Sequence, residues 1–135
     1  MTSAVYPKYK QACMSGGANT DLIAGNLKLI LVDLADYTYA ATHEFLTDVP
    51  AAARVAISGN LTGKSVTDGT VDFDNVTWSA VTGDQSEAFI LFVDTGVEAT
   101  SRLVHFADAA SSGLPVTPNS GDINFNVNNA GHFTL

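Results

Sequence analysis

At 135 residues the chain has the length of one domain and can bury roughly two-thirds of the surface that its unfolded form exposes. Apolar residues make up 46% and charged residues only 15%, so Thr, Ser, Asn and Gly must finish the surface, and six Lys and Arg against 14 Asp and Glu leave a net charge of −8. Arg102 is the one fixed positive charge beyond Lys64, so no basic stripe can displace counterions from a phosphate backbone, which excludes nucleic acid as the expected ligand.

Cys13 is the single cysteine, which excludes an internal disulfide framework and any CxxC metal or redox site. The start shows no charged-then-apolar leader, and apolar runs such as "AFILFV" are too short to cross a bilayer. The expectation is a soluble product with no membrane partner, made in a reducing cytoplasm.

From the N-terminus, "YPKYKQACMSGG" predicts a helix of about two turns with Pro7 in its first turn and Gly16-Gly17 at its end, forming an arm over residues 1–17. "NLKLILVDLAD" alternates briefly and then becomes continuously apolar, as a strand buried on both faces would, over about residues 27–34. "YTYAATHEFLTDVP" has no sustained period of two and predicts a connection packed by its own aromatics, with one helical turn closed before Pro50. "ARVAISG" is the next strand. In "TVDFDNVTWSAV", Val71 and Phe73 share one parity while Val76 and Trp78 share the other, which requires a bulge or tight turn near Asp74-Asn75. "EAFILFVDTG" is a second strand buried on both faces, joined to "SRLVHFAD" by a connection of hairpin length. In "DINFNVNN", Ile123, Phe125 and Val127 face one way and Asn124, Asn126 and Asn128 the other, and "HFTL" closes a last short strand. Roughly six to eight short strands with turn signals between them predict a mainly β fold, an antiparallel β-sandwich or jelly-roll-like barrel with a short N-terminal helix.

No catalytic fingerprint accompanies this pattern. His43-Glu44 lacks the second His of HExxH, because position 47 is Thr. His43, His105 and His132 lie far apart, and His105, between Val104 and Phe106, reads as a core or seam histidine. "DGTVDFD" fails as a calcium loop, since Phe73 stands where Gly is needed and Ser79 where a bidentate Glu is needed; Asp72 and Asp74 read as the solvent face of a strand. Ser58 and Ser120 lack the GxSxG elbow. Gly63-Lys64-Ser65 is not a Walker A motif, because Ser58 occupies the position of its first glycine, and it reads as a hairpin turn. The expectation is no catalytic residue, no metal and no cofactor. Tyr37 and Tyr39, the Asn-rich face and the terminal strand remain as interface candidates, with covering of the local core as the equal alternative for the tyrosines.

Four stretches in order, "YPKYKQACMSG", "LKLILVDLADYTYAATHEFLTDVPAAARVA", "AVTGDQSEAFILFVDTGVEATSRLVHFAD" and "GLPVTPNSGDINFNVNNAGHFTL", resemble a family of small structural proteins of tailed bacteriophages. The resemblance covers nearly the whole chain and supplies no catalytic residues. It implies a virion component made in the host cytoplasm, foremost a capsid decoration or cement protein that binds the major capsid protein on the outside of the head as a homo-oligomer, a trimer favoured. The alternative is a tail component, such as a fibre, tail-tip or adaptor protein with a receptor- or glycan-binding role. Under the interaction reading the candidate contact residues are Tyr6, Tyr9, Tyr37, Tyr39, His43, Phe45, Asn124, Asn126 and Asn128. The parity of Trp78 with Val76 places the only tryptophan in the core, which weighs against a sugar platform.

Overall fold

The computed structural model of the chain describes residues 4–108, 116–125 and 133–134. In chain order these form β1 (Ala4–Val5), α1 (Pro7–Ser15), β2 (Asn26–Val32), β3 (Arg54–Ile57), β4 (Ser65–Thr67), β5 (Thr70–Asp72), β6 (Val76–Trp78), β7 (Ala88–Asp94), β8 (Arg102–Ala107), β9 (Ile123–Phe125) and β10 (Phe133–Thr134). The fold is mainly β, with antiparallel pairing throughout, as the strand-and-turn pattern predicts.

The two unbroken apolar runs meet at the centre. β2 and β7 pair from Asn26↔Asp94 to Val32↔Ala88, and the order β1-β8-β7-β2-β3 extends this pair into a five-stranded sheet. Successive side chains on a strand point to opposite faces, so a strand with no polar alternation must be covered on both sides. Both covers are present. On one face lie two small sheets, β10-β5-β4 and β6-β9. There Trp78 Nε1 donates to the Leu29 carbonyl at 3.2 Å, the Phe125 ring meets Phe89 at 4.7 Å, and Phe133 stacks on His105 at 4.8 Å. On the other face the connection after β2 lays Tyr37 and Tyr39 against Phe106, with ring centroids 6.1 and 5.2 Å apart. Leu29, Ile30, Ile90 and Leu91 have no exposed surface, and each such burial contributes about 1.5–3 kcal/mol. The layering is that of a sandwich, and among the described residues no sheet closes on itself.

Local chemistry fixes the edges of these elements. α1 begins at Pro7 and ends where Gly16 takes the left-handed conformation (φ 71°), with the Gly17 N–H donating to the Ala12 carbonyl at 2.7 Å. β2 stops at Val32, two residues before the predicted end, because the Asp33 carboxylate accepts the Ala35 N–H at 2.9 Å and turns the chain. The parity switch at Asp74-Asn75 is a change of sheet: β5 and β6 belong to different sheets, and Val71, Phe73, Val76 and Trp78 are all buried. Asp72 lies on β5 and is half-buried, whereas Asp74 falls in the break and is exposed, so only the first belongs to a strand.

Candidate interaction surface

Tyr37 and His43 of the aromatic connection join Tyr6 in a linear chain of hydrogen bonds. Tyr6 and Tyr37 share a 2.8 Å hydroxyl–hydroxyl hydrogen bond, and the Tyr37 hydroxyl lies 2.8 Å from His43 Nδ1. Tyr9 donates to the Thr20 carbonyl at 2.9 Å. Burial disfavours the phenolate, so the pKa values of Tyr6 and Tyr9 rise well above the ordinary tyrosine value and that of Tyr37 is pushed up to about 12. These groups stay neutral and tie the layers together. Tyr6, Tyr9 and Tyr37 are at most 3% exposed, which corrects their reading as interface residues: they cover the core of their own chain, where a partner cannot reach the rings.

Tyr39, His43 and Phe45 are half-buried. Phe45 lies under the Arg102 guanidinium, 4.9 Å from Cζ to the ring centroid. The His43-Glu44 dipeptide splits between two partners, His43 to Tyr37 and Glu44 to Arg102 at 3.2 Å, so the two side chains form no common site. Asn124 is exposed and its Oδ1 accepts from Thr77 Oγ1 at 2.8 Å. Asn126, Asn128 and His132 lie outside the described residues. His105 is buried, and that burial pushes its pKa down to about 4, in keeping with a seam histidine.

Two features escaped the sequence. Asp33, Asp36 and Asp84 bring carboxylate oxygens within 4.8 Å of one another, a donor set suited to a hard cation, assembled from residues about fifty positions apart. The other is an apolar surface beside β4. Ile23 and Val66, 49% and 47% exposed, flank an open pocket of about 250 Å³ that reaches Tyr9, Leu22, Val71 and Phe133. β4 is the outer strand of its sheet, and Ser65, Val66 and Thr67 are all exposed. Natural edge strands are commonly blunted by shortness, Lys, Pro or a bulge; β4 is short, three residues with Lys64 just before it, but within the strand it has no Lys, Pro or bulge.

The hairpin that carries β4 is defined by its turn. Thr67 pairs with Thr70 across Asp68 and Gly69, both at positive φ (52° and 81°), which is a type I′ turn. In such a hairpin the Thr67–Thr70 pair is hydrogen-bonded and the next pair, Val66–Val71, is not. The Val66 N–H and C=O therefore point outward, away from β5, while its side chain shares the pocket face with Val71.

The charge around this surface follows from where the cations are held. Lys28 pairs with Asp94 at 2.7 Å, Arg54 with Glu98 at 2.8 Å and Arg102 with Glu44. Lys64 donates to the Ile23 and Gly25 carbonyls. Hydrogen bonds from Lys28 and Arg54 hold the Asp94 and Glu98 carboxyls below the usual range. Beside the pocket, Asp21 accepts the Ala24 and Ile23 N–H groups, which lowers its pKa and keeps it ionised. No protein-family model and no curated protein sequence matches the chain.

Proposed function

We propose that the chain is a structural protein of a tailed-phage virion, a decoration or cement protein that binds the major capsid protein on the outside of the head. The family resemblance of its four long segments supplies the setting. The observation that carries a binding role is the uncharged, outward-facing edge of β4 beside an apolar pocket, on a scaffold whose central sheet is covered on both faces. Such a module adds to a partner without refolding. Its contribution to a capsid is linkage: a protein that binds only the mature lattice stabilises that state by the free energy of binding. Several copies joined as a homo-oligomer, a trimer being the favoured form, multiply weak single contacts.

The test is location and effect on purified particles of the phage that encodes the chain. Immunogold labelling is expected to decorate heads, and particles stripped of the protein are expected to lose DNA at lower temperature than particles to which it has been added back. Label confined to the tail, or absent from particles, would overturn the assignment.

A further inference from the structure

We infer that β4 and the pocket beside it take an extended peptide segment of a partner protein, which adds as a strand to the edge and carries a bulky apolar residue flanked by basic ones. This deepens the binding role proposed above and rests on it. Three observations converge. The Val66 N–H and C=O face away from β5, so an incoming antiparallel strand can pair there through its main chain. Val66 and Val71 are cross-strand neighbours that both line the pocket, so the residue of the added strand opposite Val66 points its side chain toward that same opening. Among the described residues, the pocket wall and the β4–β5 hairpin carry Asp21, Asp68 in the turn and Asp72 opposite Ser65, while the ammonium of the adjoining Lys64 is engaged with two carbonyls and Lys8 and Lys10 stand on α1 to either side of Tyr9.

That balance selects the occupant. A second copy of the chain would bring the same three carboxylates, and the same net charge of −8, to surroundings that already hold them. A segment bearing Lys or Arg beside its apolar anchor meets those carboxylates with opposite charge. On an added strand, residues next to the anchor turn to the face of Asp72 and residues two away turn to the pocket face with Asp21.

The probe is a synthetic extended peptide, Val-Lys-Arg-Leu-Arg-Lys-Val, titrated into the full-length protein by fluorescence anisotropy. Saturable binding is expected. It should weaken at least about tenfold, equivalent to about 1.4 kcal/mol, when the central Leu is replaced by Asp or when its amide is N-methylated to block main-chain pairing. Val66→Lys in the protein should weaken it as strongly, with Ile23→Ser as a second variant in case the first disturbs the hairpin; Ile57→Lys, on the far edge strand β3, should not. Absence of binding, or binding indifferent to N-methylation and to both pocket variants, would overturn the inference. So would a β4-mediated dimer, seen as concentration-dependent sedimentation abolished by Val66→Lys. Head binding separates the two proposals: if wild type and Val66→Lys decorate heads equally, the edge inference fails and the virion role stands. If the peptide binds as expected but the protein is absent from particles, the reverse holds.

Discussion

The buried hydroxyls of Tyr6 and Tyr37 illustrate how a single atom is fixed by its partners. Tyr37→Phe removes the hydroxyl between Tyr6 and His43 and leaves the fully buried Tyr6 hydroxyl without that bond. An orphaned buried donor costs about 1–3 kcal/mol, whereas removing both hydroxyls costs less than the sum. Urea unfolding of Tyr37→Phe, Tyr6→Phe and the double variant should show this non-additivity; strict additivity would mean the hydroxyls act independently. His105 makes a second prediction. Its folded pKa of about 4 lies below the ordinary 6.5, so between these values the unfolded chain binds a proton that the folded chain does not. Stability is therefore lost as pH falls from about 6.5 toward 4, by about 3 kcal/mol over the window if no other group intervenes. Denaturation midpoints measured across that range should fall, and His105→Asn should flatten the slope there. An unchanged slope in the variant would remove His105 as its source.

At the scale of elements, legibility followed periodicity. The runs around Leu29 and Leu91 are long and unbroken, so burial on both faces could be read from them, and the opposed parities of Phe73 and Val76 located the change of sheet. The end of α1 was equally plain from Gly16-Gly17. The interaction surface was not legible, because Tyr9, Ile23, Val66, Val71 and Phe133 come from five separate segments and none has a motif spacing. Nor could sequence distinguish a buried from an exposed tyrosine: Tyr6 and Tyr37 are core because the connection folds back on Phe106. Periodicity reports which face of one strand is apolar, and a surface made by several short strands leaves no such trace. The β4–β5 hairpin shows where a local signal does control that surface. Gly69 sits at φ 81°, where a β-branched side chain is strained, so Gly69→Val should lower stability by about 1–2 kcal/mol and weaken the peptide titration together with it, while Asp68→Gly should leave the hairpin intact. Retained peptide binding in Gly69→Val would show that β4 holds its place without the turn.

Across the whole molecule, the surplus of carboxylates and the way cations are held act in opposite senses on stability. Lys28–Asp94 and Arg54–Glu98 are short-range pairs, with Lys28, Asp94 and Arg54 each at least about three-quarters buried, and close partly buried pairs are only weakly screened by salt. The remaining carboxylates belong to a chain of net charge −8 and repel one another over longer distances through solvent. Raising ionic strength from about 0.01 M to about 0.15 M shortens the Debye length from about 30 Å to about 8 Å, which reaches the long-range repulsion first. The melting temperature should therefore rise with salt, even though the chain contains ion pairs. The same salt should weaken peptide capture at β4, because there the long-range term is attractive. A melting temperature that falls over this range would mean that the internal pairs outweigh the repulsion, and the acidic surface would then lose its standing as the force that selects a basic partner.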